Sequence, residues 1–145
     1  MTPPPTLQHA ETDADLAACF AVMQQLRPHL RSSDDLIARV ATQRQQGYRL
    51  LMLKDRERPV ALAGYRMLDN LIHGRFVYVD DLVTDAGERG RGHGERLVEA
   101  LREIGRSGRC AKLVLDTGLA NALAQRFYFR VGLLAQGLHF SGALQ

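Results

Sequence analysis

The residues best suited to chemistry lie in the segment DAGERGRGHGER, residues 85–96. Four glycines alternate there with three arginines, although glycine is costly to order and like charges repel at this spacing. A glycine loop before a helix lets an anion approach backbone N–H groups, and arginine adds further hydrogen-bond donors. The segment therefore predicts a phosphate or pyrophosphate site. The alternative is a glycine-rich connection whose arginines are simply solvated.

Two common nucleotide motifs do not fit this segment. A P-loop ends in Gly-Lys-Ser or Gly-Lys-Thr, and no such sequence is present. The dinucleotide fingerprint requires G-x-G-x-x-G, whereas Gly90, Gly92 and Gly94 follow one another at every second position. Asp116 is only a loose match to the acidic residue that should end the next strand. Binding of a nucleotide through either motif is therefore not expected.

Hydrophobic periodicity predicts the elements that position the segment. Two helices are expected first, starting at the caps Asp13 and Ser33, and the apolar stripe of each is interpreted as core packing. Alternating residues then predict three consecutive antiparallel strands, followed by a helix after the glycines and a strand–helix–strand sequence. The predicted strands cover 7–11, 48–55, 59–68, 75–85, 110–116 and 133–142, and the last predicted helix covers 121–132. This order predicts a mixed α/β fold.

Length and composition limit the class of protein. The chain has 145 residues, a net charge of +3 and 46% hydrophobic residues, which is typical of one globular domain. We expect the proline-rich residues 1–6 to be disordered and residues 7–145 to form a single domain. No apolar run is long enough to span a membrane and no secretory signal is recognisable, so a cytoplasmic protein without a membrane partner is expected. The modest charge and the lack of a basic-aromatic patch argue against a nucleic-acid partner.

Two motifs at a suitable separation resemble the GCN5-related N-acetyltransferase (GNAT) family. Residues 89–94, RGRGHG, match its Gln/Arg-x-x-Gly-x-Gly/Ala signature. Residues 121–133, NALAQRFYFRVGL, resemble its Asn-x-x-Ala-x-x-Phe-Tyr-x-x-x-Gly-Phe helix. Leu133 replaces the usual Phe, and Ala86 stands where many members have Pro, but neither position carries a reacting group.

The resemblance implies that acetyl-coenzyme A is the cosubstrate and that no metal ion is needed. It also implies a mainly antiparallel mixed sheet flanked by about four helices, with fourth and fifth strands that splay apart, helped by a bulge near Asp80 and Asp81. The pyrophosphate would contact loop amides, and the pantetheine arm would pair with a strand edge. The residues concerned are Arg89, Gly90, Arg91, Gly92, His93, Gly94 and Glu95 for the pyrophosphate, and Leu82, Val83 and Thr84 for the pantetheine arm.

The implied reaction is direct attack of a primary amine on the thioester within a ternary complex. The amine must first lose a proton, and the candidate bases are Asp80 and Asp81, then Asp116, with a water chain to solvent as the alternative. In a regular strand only one of two neighbouring aspartates can face the cleft. Tyr128 matches the family's general acid, with a place in the core as the alternative. Asn121 either orients the coenzyme or caps its helix.

The remaining expectations concern the acceptor substrate, the oligomeric state and the two cysteines. The helices over 13–46 would form the acceptor pocket in this family, but their sequence carries no readable substrate code, so small-molecule and protein amines both stay open. A non-catalytic acyl-coenzyme A sensor is the alternative function, although the presence of Tyr128 argues for an enzyme. A homodimer through the apolar residues 133–144 is expected. Cys19 and Cys110 are expected to be buried, reduced thiols that carry no acyl group.

Overall fold

The computed structural model describes residues 3–145, which form two compact units, the first ending at Val114 and the second running from Leu115 to Gln145. That the two act as one domain stays a prediction. The strands are β1 (Thr6–His9), β2 (Arg49–Asp55), β3 (Arg58–Asn70), β4 (Gly74–Thr84) and β5 (Lys112–Leu115), and the helices are α1 (Asp13–Leu26), α2 (Ser33–Arg44), α3 (His93–Ser107) and α4 (Ala122–Arg130).

The mixed α/β class predicted from the sequence is confirmed. The five strands form one sheet in the order β1-β2-β3-β4-β5, in which the first four are antiparallel neighbours and β5 runs parallel to β4. The sheet is thus a meander to which one parallel strand is added after the crossover through α3. This arrangement brings the end of β4 and the start of α3 together at one place.

The amino-terminal strand begins earlier than expected. Thr6 pairs with Lys54 and His9 pairs with Leu51, so Thr6 belongs to β1 and the predicted disordered end is wrong at this residue. The reason is that the backbone of β1 finds hydrogen-bond partners along the free edge of β2. Met1 and Thr2 lie outside the described residues.

Local capping explains where the first two helices begin. The hydroxyl of Thr12 accepts a hydrogen bond from the backbone N–H of Asp15, and the Asp15 carboxylate accepts from the Thr12 N–H, which forms a capping box. The cap of α1 is therefore Thr12 rather than Asp13. Helix α2 is capped by Ser32, whose hydroxyl accepts from the Asp35 N–H, rather than by Ser33. Each predicted cap is wrong by one position, because a cap must precede the first helical residue.

The two faces of the sheet pack on different helices. Leu50, Met52 and Leu62 join a buried cluster with residues of α1 and α2. Their neighbours in the strands point to the opposite face, because side chains alternate across a sheet. Helix α3 packs on β3 and β4, and its residues Leu97 and Leu101 are fully buried. The sheet is therefore covered on both sides in the part of the first unit that carries the loop.

The second unit contains α4 and a carboxy-terminal segment without regular secondary structure. A final strand over residues 133–142 is predicted from the sequence, but that prediction is wrong. Leu134, Leu138 and Phe140 are 74%, 68% and 87% exposed, so the apolar side chains that predicted a strand are not buried. No helix in the described part of the chain is long and apolar enough to cross a membrane.

Gly64 in β3 is required by close packing. A Cβ atom at this position would lie 1.9 Å from the hydroxyl oxygen of Tyr48 and 2.6 Å from Oδ2 of Asp81. We expect Gly64→Ala to lower the free energy of unfolding by about 1–3 kcal/mol, the usual cost of overpacking a core. Thermal and urea unfolding would measure the loss.

Gly118→Ala is the matched control for this substitution. A Cβ at Gly118 meets no atom within 4 Å and its φ angle is not in the left-handed region, so its unfolding curve should stay close to that of the wild type. Equal stability of the Gly64→Ala protein would contradict the close packing of Tyr48 over the strand.

Candidate functional site

The candidate site begins with an irregularity in β4. Gly64 of β3 pairs with Asp81, but the next residue, Tyr65, pairs with Val79, so Asp80 is an extra residue without a partner in β3. Such an insertion is a β-bulge, which bends the strand and increases its local twist. The bulge predicted near Asp80 and Asp81 is confirmed.

The glycine loop follows β4 directly and leads into α3. A short 3₁₀ turn covers Ala86–Glu88, and α3 begins at His93. Gly90 and Gly92 both have φ angles of +79°, in the left-handed region that glycine tolerates and other residues rarely adopt. The alternating glycines are thus needed for the path of the chain, whether or not an anion is bound.

The start of α3 presents unpaired backbone donors. Gly92 is the N-cap and offers no side-chain acceptor to the first turn. The N–H of Arg96 donates to the carbonyl of Gly92, whereas those of His93, Gly94 and Glu95 have no backbone acceptor within the described residues. Free N–H groups at a helix start, together with the positive end of the helix dipole, form a favourable environment for an anion.

The buried side chain of Glu88 forms ion pairs that connect the loop to the rest of the first unit. Its side chain is only 8% exposed and forms ion pairs with Arg91 at 2.8 Å and Arg58 at 3.5 Å. The His93 ring is also buried; its Nε2 lies 3.9 Å from Glu88 Oε1 and has no hydrogen-bond partner within the described residues. The ring of His93 therefore faces the protein, and the group at this position best placed to face an anion is the backbone N–H.

The arginines of the loop differ in their surroundings. Arg91 is paired with Glu88, although 61% of its side chain is exposed. Arg96 donates a hydrogen bond to the carbonyl of Pro5. Arg89 forms no ion pair within residues 3–145, which leaves its guanidinium group the most readily available of the three.

Both carboxylates at the bulge accept hydrogen bonds from arginine or tyrosine side chains. Asp80 accepts two hydrogen bonds from Arg66, at 2.8 and 2.9 Å, in a bidentate pair. Asp81 accepts from Arg27 Nε at 2.9 Å and from the Tyr48 hydroxyl at 2.7 Å. Burial, and then the charge of Asp81, raise the pKa of Tyr48 well above its usual value. Each of the two neighbouring aspartates thus has its own set of partners.

Three of the candidate residues named from the sequence lie in the second unit. The Asn121 side chain accepts a hydrogen bond from the Ala124 N–H at 3.1 Å, so Asn121 caps α4. Tyr128 lies in the last part of α4, and burial raises the pKa of its hydroxyl. Asp116 lies 3.5 Å from His139 in an ion pair when the imidazole is protonated. Asn121 therefore has the contacts of a cap, and a role in orienting the coenzyme stays a prediction.

Several residues around the loop were not singled out from the sequence. Gln25 and Arg27 at the end of α1, and Arg58 at the start of β3, contact the segment that runs from Asp80 to Glu88. Their types and spacing match no motif, since each acts across a large sequence separation. Glu88 was missed as well, although its sequence context gave a signal, since it is an acidic residue inside an arginine-rich loop.

The cysteines offer no reactive thiol in the first unit's core. Cys19 is completely buried, and burial raises the pKa of its thiol to about 12. Cys110 is half-buried, so the expectation that both are buried is wrong for Cys110, which follows the exposed Arg109 in the turn after α3. Within residues 3–145 no cluster of three or more His, Cys, Asp or Glu side chains could hold a metal ion.

Comparison with known proteins identifies the family. The family model described as Acetyltransferase (GNAT) family matches residues 12–133, which is most of the chain. The chain belongs to this family. The resemblance found in the two motifs is thereby confirmed.

Sequence identity to individual relatives is low or covers only part of the chain. The chain is similar to a protein named probable glucosamine 6-phosphate N-acetyltransferase 2 from rice (Oryza sativa subsp. japonica), with 34% identity over 68 residues, 47% of this chain and 39% of the relative. It is also similar to an uncharacterized N-acetyltransferase, YhdJ, from Bacillus subtilis, with 28% identity over 112 residues, 77% of this chain and 79% of the relative. The match thus spans about two fifths of the length of the rice protein.

Solved structures of GNAT proteins share the fold. A glucosamine-6-phosphate N-acetyltransferase from Arabidopsis thaliana aligns with a TM-score of 0.77 and 18% identity, covering 99% of this chain and 100% of that one. The aminoglycoside N-acetyltransferase AAC(6')-Iy in complex with CoA aligns with a TM-score of 0.83 and 15% identity, covering 100% and 99% of the two chains. At these identities the likeness concerns the fold alone.

Proposed function

We propose that this protein transfers the acetyl group of acetyl-coenzyme A to a primary amine, by direct attack in a ternary complex. The observation that carries the proposal is the start of α3, where three backbone N–H groups without backbone acceptors follow a glycine loop at the end of β4. Membership of the GNAT family supports it. The protein would act in the cytoplasm, where its two free cysteines stay reduced.

The pyrophosphate would bind to the loop and the first turn of α3. The N–H groups from Gly90 to Glu95 supply donors, and the glycines leave the approach to the backbone free of side chains. Arg89 is the side chain best placed to add a charge-assisted bond, since it has no ion pair within the described residues. Arg91 would first have to leave Glu88 or bind both groups.

The pantetheine arm would pair with the outer edge of β4. The inner edge is already bonded to β3 as far as Thr84. Strand β5 begins beside Arg75, to whose carbonyl the Ala111 N–H donates at 2.7 Å, and β5 has only four residues. It is therefore too short to run along the segment 82–84, and an extended ligand can use the backbone groups of Leu82, Val83 and Thr84.

The chemistry requires three proton transfers: the nitrogen gives up two protons and the thiolate gains one, so the net reaction releases one proton to solvent. An ammonium group with a pKa near 10.4 needs about 4.6 kcal/mol to become the neutral amine at pH 7. Its nitrogen then forms a bond to the thioester carbonyl carbon, the carbon–sulfur bond breaks, the nitrogen loses a proton and the thiolate gains one. Tyr128 is the proposed proton donor to the thiolate, and the raised pKa of its hydroxyl keeps it protonated at neutral pH.

For the proton acceptor the sequence left several candidates, and the contacts of the aspartates support water. If Asp80 or Asp81 took a proton, it would have to weaken its hydrogen bonds to Arg66, or to Arg27 and Tyr48. We therefore propose that the ammonium proton leaves through water, with Asp80 and Asp81 as the candidate bases only if those pairs open. Both aspartates would otherwise fix the shape of β4 beside the thioester.

The acceptor is an amine whose class the relatives help to rank. Curated relatives and structural neighbours are named for glucosamine 6-phosphate and aminoglycosides. We therefore place amino sugars and their phosphates first in an acceptor screen, followed by polyamines, amino acids and peptides. Release of coenzyme A thiol in the presence of each amine is the readout.

Gly92→Val tests the cofactor site. A branched side chain at a φ of +79° is strained and would stand between the anion and the N–H groups of α3. We expect the wild type to bind acetyl-coenzyme A and to gain about 2.7 kcal/mol of stability at a hundredfold excess over the dissociation constant, and the variant to gain none. Calorimetry and thermal unfolding measure both effects, and equal binding by the two proteins would place the site elsewhere.

Tyr128→Phe tests the general acid. The substitution keeps the ring and its packing but removes the hydroxyl, so we expect turnover to fall about 10²–10⁴-fold with cofactor affinity unchanged. Tyr65→Phe is the matched control, because it removes the hydroxyl of another tyrosine whose pKa is raised by burial and which binds His9 at 2.8 Å. Unchanged turnover of Tyr128→Phe, with chemistry rate-limiting, would return Tyr128 to a packing role.

We propose a homodimer through residues 133–144, supported by the exposure of Leu138 and Phe140. Light scattering at micromolar concentration should give twice the monomer mass, and serine at both positions should reduce it to the monomer. Leu71→Ser and Ile72→Ser remove exposed apolar side chains from the β3–β4 turn and should leave the mass unchanged. A monomeric wild type would refute the dimer.

A further inference from the structure

The end of α1 contacts β4 and the residues that directly follow it at two separate places. Gln25 lies in the last turn of α1 and Arg27 is its C-cap residue. Arg27 reaches the bulge, and Gln25 reaches the first residues after the strand. The segment between these contacts, residues 82–84, is the one proposed above to bind the pantetheine arm.

The Arg27 side chain binds the bulge at two points, the backbone of Asp80 and the side chain of Asp81. Its Nη2 donates to the carbonyl oxygen of Asp80 at 2.7 Å, and its Nε donates to Oδ1 of Asp81 at 2.9 Å. Asp80 is the extra residue that has no partner in β3. A guanidinium group is planar and presents donors in a fixed geometry, so the two bonds fix the orientation of the bulge relative to α1.

Tyr48 holds the same carboxylate from the other side. Its hydroxyl donates to Oδ2 of Asp81 at 2.7 Å, and the ring passes over Gly64, where a Cβ would collide with it. Tyr48 is 3% exposed, so its position is set by core packing. Asp81 is therefore fixed between a rigid core residue and the end of α1.

Gln25 holds the chain where it leaves β4. Its Nε2 donates to Oδ1 of Asp85 at 2.9 Å, and its Oε1 accepts from the Ala86 N–H at 2.9 Å. The other oxygen of Asp85 accepts from Arg58 at 2.9 Å. The amide thus makes two bonds to consecutive residues immediately before the glycine loop.

We propose that Gln25 and Arg27 form a clamp on β4 that sets the two halves of the cofactor site separately. Arg27 positions the edge for the pantetheine arm, and Gln25 positions the start of the loop for the pyrophosphate. The proposal rests on the proposed function, because it assigns roles for the same cofactor. Both are positioning residues, since each acts through β4 or the loop.

Two probes separate the halves of the site. Coenzyme A contains both the pyrophosphate and the pantetheine arm, whereas 3′-phospho-ADP keeps the nucleotide and the pyrophosphate but lacks the pantetheine arm. We expect Arg27→Gln to weaken binding of coenzyme A about tenfold, as it would if the competent conformation were populated about one tenth of the time. Binding of 3′-phospho-ADP should not change. Gln25→Ala should weaken both probes by a similar factor, because both need the loop.

Two further variants show whether the effect depends on geometry. Arg39→Gln breaks a comparable pair, with Arg39 Nε 3.0 Å from Oδ1 of Asp35 on α2, and should leave the affinity for both probes unchanged. Arg27→Lys keeps the charge but loses the fork, so it should restore only part of the coenzyme A affinity. Isothermal titration calorimetry measures all dissociation constants, with unfolding curves recorded for each variant.

The outcomes distinguish the clamp from the function. If the wild type binds neither probe, the proposed function fails. If the wild type binds both and Arg27→Gln binds coenzyme A equally well, the clamp is refuted while the function stands. An equal loss of both probes in Arg27→Gln would also overturn the separate roles, because it would show general damage to the fold.

Discussion

The two hydrogen bonds to the Asp81 carboxylate are the constraint on which the rest of the candidate site depends. They join the end of α1 to a buried tyrosine across the bulge of β4. The side chain of Asp81 is only 12% exposed, so loss of either partner would leave a poorly solvated charge. The arrangement also requires a glycine at position 64, because no side chain fits beneath the ring of Tyr48. The end of α1 and the residue before β2 are thus linked to β4 through one carboxylate, beside Gly64 of β3.

The same kind of pairing continues along the chain toward α3. Four acidic residues lie along the chain from the bulge to the loop, and each is paired with an arginine from β3 or the end of α1. The pairs are Asp80 with Arg66, Asp81 with Arg27, Asp85 with Arg58, and Glu88 with Arg58 and Arg91. Of the three arginines of the glycine segment, which repel one another when read as sequence, Arg91 is balanced in this way by the carboxylate of Glu88. A bound anion at the start of α3 would therefore add negative charge to a segment in which part of the positive charge is already paired.

How much could be predicted from the sequence depended on the range of the interactions. The meander, the helix after the glycines and the bulge at Asp80 follow from local patterns and from the resemblance, and the structure confirms them. The strand over 133–142 does not form, because a strand also needs a neighbour, and apolar alternation cannot supply one. Gln25 and Arg27 were missed for a related reason: their partners lie more than fifty positions away, and no spacing rule connects them.

The long-range contacts of Gln25 and Arg27 matter for binding because the glycine loop cannot order itself. A glycine-rich segment gains little order from its own side chains, since glycine loses more conformational freedom on folding than any other residue. Order must therefore come from outside the segment, and here it comes through the paired carboxylates before it and the first turn of α3 after it. A loop held in this way loses less entropy when it binds a ligand, because much of the ordering was completed when the protein folded. Affinity for a phosphate group would then depend on residues that never touch it, with the end of α1 the most distant of them along the chain.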